Sequence, residues 1–134
     1  MGFTLVESTI AIFILLVGLL AVMQFFPLGI RMIGDSQDLT IATNIALSKI
    51  EELVSTRYED LGVGTIEAKQ RVSSDPSSYL YDYQRQTAVE LVDSDFNTSV
   101  SDEGLKKITV TVFWDSAVGA IEKSTEINTV IADY

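Results

Sequence analysis

The sequence contains no cysteine and no histidine. Those two absences remove disulfide frameworks, cysteine nucleophiles, Ser/His/Asp triads and the usual zinc sites before any motif is considered. Basic residues are scarce as well: nine Lys and Arg stand against nineteen Asp and Glu, a formal net charge of −10. An acidic chain without a basic stripe repels phosphates, so a nucleic-acid partner is not expected. Neither a glycine-rich phosphate loop nor a pair of carboxylates at catalytic spacing stands out. The expectation is a protein that is not an enzyme, with no catalytic residue and no cofactor.

Charge is also missing locally. Before residue 35 the only charged side chains are Glu7 and Arg31, and none lies between Ser8 and Ile30. The run IAIFILLVGLLAVMQFF, residues 10–26, is almost wholly aliphatic and aromatic. At about 1.5 Å rise per residue, about 20 such residues cross a hydrocarbon layer of about 30 Å. A transmembrane helix is therefore expected. A secretory signal peptide is the rival, but its basic start, shorter apolar stretch and small-x-small cleavage site are not evident. Glu7 is costly here, by up to roughly 2.5–3.5 kcal/mol if drawn to the bilayer centre. Its own helix offers no Lys or Arg within reach, so it is either an interfacial Glu wetted by headgroups or one that pairs with a cation from another molecule.

The residues around Glu7, GFTLVES from Gly2 to Ser8, resemble the cleavage signal of type IV pilins and of the pseudopilins of type II secretion. That resemblance implies a prepilin peptidase cutting between Gly2 and Phe3 and N-methylating Phe3. It further implies that Glu7 pairs with the Phe3 amine of a neighbouring subunit as the helix enters a filament. Residues 1–2 are then what remains of a leader, residues 3–34 the transmembrane and filament-core helix, and residues 35–134 a soluble head. The stretch ATNIALSKIEEL, Ala42 to Leu53, and the segment ITVTVFWD followed by STEINTVIA refine the likeness. They are similar to V-type minor pilins and to I-type minor pseudopilins.

Beyond the span, Pro27 lacks the N–H that would bond the Met23 carbonyl, so a kink or short unwound stretch is expected, with Asp35 or Ser36 capping a restart. Leu39, Ala42, Ala46, Ile50, Leu53, Val54 and Leu61 recur on one helical face, which carries the helix to about Tyr58 or Leu61. Ile41 and Ile45 fall on the opposite side, either as casual surface apolarity or for packing on neighbouring subunits. After Leu61 the chain is punctuated by Gly, Ser and Asp. Alternation then predicts strands over Tyr81–Leu91, Lys107–Trp114 and Glu126–Ala132, the second with Ile108, Val110, Val112 and Trp114 inward. Tyr79, Tyr81 and Tyr83 are read as covering a core edge. Asp93, Asp95, Asn97, Asp102 and Glu103 make an oxygen-rich loop, but Thr98 and Gly104 stand where an EF-hand needs its Gly and its bidentate Glu. Only an irregular calcium site is left open, against a solvated acidic loop.

These readings combine into an α+β protein, a long N-terminal helix, transmembrane and then amphipathic, packed on a small antiparallel β-sheet. The resemblance implies a structural subunit, a minor pilin or pseudopilin. Its partners would be other pilin subunits, the prepilin peptidase and the inner-membrane assembly machinery. Its place would be the bacterial inner membrane, head periplasmic or external, and then the pilus or pseudopilus. The alternative is a single-pass anchored periplasmic binding module that never polymerises.

Overall fold

A computed structural model describes residues 2, 4–116 and 121–133. One helix, α1 (Leu5–Val54), is followed by four strands: β1 (Gly64–Arg71), β2 (Gln84–Leu91), β3 (Leu105–Asp115) and β4 (Glu122–Ala132). Short 3-10 turns at Tyr58–Asp60 and Tyr79–Asp82 link them. The strands form one antiparallel sheet in the order β1-β2-β3-β4, a meander in which each strand pairs with its sequence neighbour. The architecture is α+β, with the helix packed against the sheet through its later turns.

The chain divides into two compact units, residues 1–36 and 37–134. In the first, every helical residue from Leu5 to Ile33 is exposed. Thr4 caps the start of the helix: its Oγ1 accepts from the Glu7 N–H at 3.3 Å and its carbonyl accepts from Ser8 N at 3.1 Å. That is one half of a capping box, in which a Thr and a Glu three residues on secure the first turn. Contrary to the expectation of an unwound stretch, helical structure runs through Pro27 without interruption. A proline removes one bond to the fourth residue back and crowds one turn, a local cost that intact turns on either side can carry. Ser36 caps no restart; its Oγ donates to the Met32 carbonyl at 2.9 Å, as helix-interior serines do.

The second unit has its own core. Ala42, Ile45, Ala46, Ile50 and Leu53 of α1 bury one stripe against Val89, Ile108, Val110, Val112 and Trp114, and Leu61 and Tyr83 close the cluster. Ile45 thus faces inward, and Ile41 packs against the same cluster, which corrects their assignment to the opposite side. The buried stripe follows i, i+3 and i+4 steps from Ala42, broad enough to take in Ile45, whereas Leu39 and Val54 at its ends stay exposed. Fully burying an Ile or Val stabilises by about 1.5–3 kcal/mol, so the wholly buried Val89, Ile108, Val110 and Val112 contribute much of the head's stability.

The helix stops at Val54, earlier than the apolar periodicity suggests, because the turn after it is anchored from the sheet. Lys106 Nζ donates to the carbonyls of Tyr58 at 2.8 Å and Leu61 at 2.9 Å, and sits 4.0 Å over the Tyr58 ring. Strand β3 has the expected inward set. Strand β2 begins later than expected, since Tyr79–Asp82 is a 3-10 turn, and β4 begins earlier, at Glu122. Gly119, in the β3–β4 connection, lies outside the described residues. Strand β1 carries no apolar alternation, which is why its sequence reads as loop; its one half-buried position is Glu67.

Candidate membrane-anchoring and assembly site

The exposed first unit is the molecule's most distinctive surface. Helix α1 is long and apolar enough to cross a membrane, and none of its most apolar window is buried. Phe13, Ile14, Leu15, Phe25 and Phe26 are each more than half exposed, so the helix is apolar on all sides rather than along a stripe. Its few hydroxyls are satisfied within the helix: Ser8 Oγ donates to the Thr4 carbonyl at 3.3 Å and Thr9 Oγ1 to the Leu5 carbonyl at 2.8 Å. Internal bonding of that kind is what a nonpolar solvent demands of a polar group. Glu7 stands exposed in the first turn, where a carboxylate also favours the positive end of the helix dipole.

Gly2 is exposed. Phe3, on which the resemblance places the new amino terminus and the assembly amine, lies outside the described residues, as does Met1. Sequence reading assigns Glu7 to assembly alone. Its backbone role is legible in the Thr4-x-x-Glu7 spacing, which marks a helix start.

In the head, the oxygen-rich loop does not converge on a cation. Asp93 Oδ1 accepts from the backbone N–H groups of Asp95 and Asn97, both at 2.9 Å, and closes its own turn. Asp102 Oδ1 accepts from Gly104 N at 2.9 Å and from the Tyr58 hydroxyl. These bonds hold the Asp102 carboxyl below the usual carboxylate range, the Tyr58 bond first. Burial first, then Asp102, pushes the Tyr58 phenol up to about 12. Asp95, Asn97 and Glu103 are exposed, and among the described residues no group of three His, Cys, Asp or Glu side chains is placed to hold a metal. The carboxylates of Asp93 and Asp102 act as loop staples.

The three tyrosines separate. Tyr83 is buried against Trp114, with ring centroids 6.5 Å apart, and its hydroxyl donates to Asp38 Oδ1 at 3.1 Å. Burial, then Asp38, raises its pKa to about 12. Tyr81 is half-buried beneath the Arg71 guanidinium, 4.0 Å from its ring centroid, while Tyr79 is exposed.

The polar cluster that sequence reading misses is Glu67 on β1. Arg85 on β2 grips it with two parallel bonds of 2.9 Å, Thr87 Oγ1 adds one at 2.9 Å and Gln70 Nε2 one at 3.0 Å. Burial alone raises this carboxyl, but the bonds from Arg85, Gln70 and Thr87 together with the Arg85 charge outweigh it and hold it at about 2. The network is saturated and faces the sheet's own core, so it knits β1 to β2 and presents no reactive group. No single segment signals it, because Glu67 and Arg85 lie on different strands and meet only when β1 pairs.

Comparison with protein-family models, with curated proteins and with solved structures finds no match for this chain.

Proposed function

We propose that this protein is a pilin-like structural subunit, a minor pilin of a type IV pilus or a minor pseudopilin of type II secretion. It is held in the bacterial inner membrane by the first turns of α1 and later assembled through them. The observation that carries the reading is the helix surface from Leu5 to Ile33, exposed on every side and uncharged but for Glu7 and Arg31. Such a surface requires lipid or other apolar helices around it. The GFTLVES segment gives that surface a route between the two: cleavage after Gly2 creates an amine on Phe3, and the carboxylate of Glu7 is a partner for a neighbour's amine. A charge-assisted contact shielded from water is among the stronger polar interactions, which makes leaving the lipid favourable.

Intact-mass analysis of the native protein tests the processing step. A chain beginning at N-methylated Phe3 is expected, and a mature chain that retains Met1 would count against a pilin. The assembly step is tested by Glu7→Gln and Glu7→Val at equal membrane abundance. Both variants are expected to insert normally and to lose incorporation in a co-assembly assay with partner pilins. Normal incorporation of either would instead favour the anchored module that never polymerises.

A further inference from the structure

We propose that the free edge of β4 is a docking site that takes up an extended segment of another protein as a fifth strand, one with cationic side chains on one face and apolar ones on the other. The inference rests on the head alone and holds whether or not the chain polymerises.

The phase of the β3–β4 ladder identifies which backbone groups are free. Residues of the two strands pair as Leu105 with Ala132, Lys106 with Ile131, and so on to Asp115 with Glu122, without a shift. Just beyond either end of that register, Asp133 N donates to the Gly104 carbonyl at 2.9 Å and Ser116 N to the Ile121 carbonyl at 3.0 Å. In an antiparallel pair, residues that exchange hydrogen bonds alternate with residues whose groups point away. Both end bonds fall on odd-numbered residues of the β4 side. The β4 residues of the same parity, Lys123, Thr125, Ile127, Thr129 and Ile131, therefore spend their N–H and carbonyl groups on β3. Glu122, Ser124, Glu126, Asn128, Val130 and Ala132 direct theirs outward, and among the described residues β4 has no strand on that side.

The two edges of the sheet differ in how they meet this exposure. Strand β1 carries two register irregularities, between Thr65 and Glu67 and between Glu67 and Gln70, and starts at Gly64 with φ +108°. Bulges of that kind blunt an edge against pairing. Strand β4 is longer and unbulged and contains no proline. A regular edge with unspent donors and acceptors is the template that strand addition uses.

The side chains flanking the edge select the occupant. On the core side, Ile127 and Ile131 are only partly buried, so apolar residues on an incoming strand would complete their burial. On the outer side, Glu126 is exposed and has no ion-pair partner among the described residues, while Glu122 is paired with Lys69. A Lys or Arg opposite Glu126 would match it, since opposite charges facing one another across strands stabilise and like charges do not. A second copy of this chain is a poorer occupant, because two chains of net charge −10 would meet along an edge that itself carries a surplus of carboxylate.

The test uses the full chain in nanodiscs of neutral phosphatidylcholine and a capped decapeptide alternating Val with Lys and Thr as probe. Saturable binding is expected, with amide exchange slowed at least tenfold at Ser124, Glu126, Asn128 and Val130 and unchanged at Thr125, Ile127 and Thr129. Asn128→Pro removes an outward N–H and fixes φ at an edge position that tolerates proline, and is expected to weaken binding at least tenfold with the Trp114 emission of the folded head retained. Glu126→Lys, which leaves the backbone intact, is expected to weaken binding of the Lys probe and to favour a probe with Glu in place of Lys. Binding that neither variant alters, protection absent from the outward amides, or self-association of the chain through β4 in place of peptide binding would each overturn the proposal.

Discussion

Within α1, residues 5–33 are exposed on every side, whereas from Ala42 to Leu53 one stripe of the same helix is buried in a core shared with the sheet. The first stretch has no counterpart surface in its own unit and is apolar all round; the second has a sheet to cover and keeps exposed polar residues such as Asn44, Ser48 and Glu51 on its free side. A single element thus carries two kinds of apolar surface, one exposed all round and one buried along a stripe. In the head the apolar partner lies inside the chain, whereas residues 5–33 meet none within their own unit, and a substitution of the same size is therefore expected to have unlike consequences.

A matched pair of truncations puts that contrast at greatest risk. Ile108→Ala, at a wholly buried position, is expected to destabilise the head by about 2–5 kcal/mol, read by denaturant unfolding of the chain in detergent. The single Trp114, buried beside Tyr83, supplies the signal. Leu15→Ala, at a position 67 % exposed, is expected to leave that midpoint within about 0.5 kcal/mol. Equal effects from the two would mean that the span is part of the folded core.

A second, smaller effect separates the units by pH. Glu67 is held at about 2 against an ordinary 4.5, so its network contributes fully above pH 4.5 and is lost as the pH falls from there through 2. The contribution is on the order of 3 kcal/mol for a side chain this well covered. Trp114-monitored stability is expected to fall more steeply across that window in the parent than in Glu67→Gln. Parallel slopes would show that the Arg85 grip does not survive in solution.

The smallest effect belongs to the helix start. Thr4→Ala removes the oxygen that accepts from Glu7 N and is expected to cost the first turn about 1 kcal/mol, seen as faster amide exchange at Glu7 and Ser8. The head's unfolding midpoint is expected to stay put. If the variant also lost membrane incorporation, the cap would be implicated in presenting Glu7.

Several features of the fold are legible along the chain. Alternation places Ile108, Val110, Val112 and Trp114 inward because a strand's side chains alternate whatever it pairs with. Strand β1 is not legible: Thr65, Glu67, Lys69 and Arg71 show no apolar period, and the strand exists because β2 offers it an edge and Arg85 offers Glu67 a partner. The side on which Ile45 packs escapes the helical period for a related reason, since the width of a buried stripe depends on the breadth of the sheet beneath it. The oxygen-rich loop shows the same limit, because composition brings Asp93 and Asp102 to notice and backbone geometry assigns them to their own turns.

Residue order alone establishes the uncharged apolar span, the lone Glu7 and Arg31 that bound it, and the exclusion of chemistry that needs cysteine or histidine. Those properties belong to residue identity and to spacing within a few turns. It takes the folded head to bring Lys106 to the carbonyls of Tyr58 and Leu61, to set Glu67 against Arg85, and to leave alternate backbone groups of β4 with no strand among the described residues to receive them. Partners separated by 18 to 48 residues come together through strand register, and register is a property of the folded sheet rather than of any one segment.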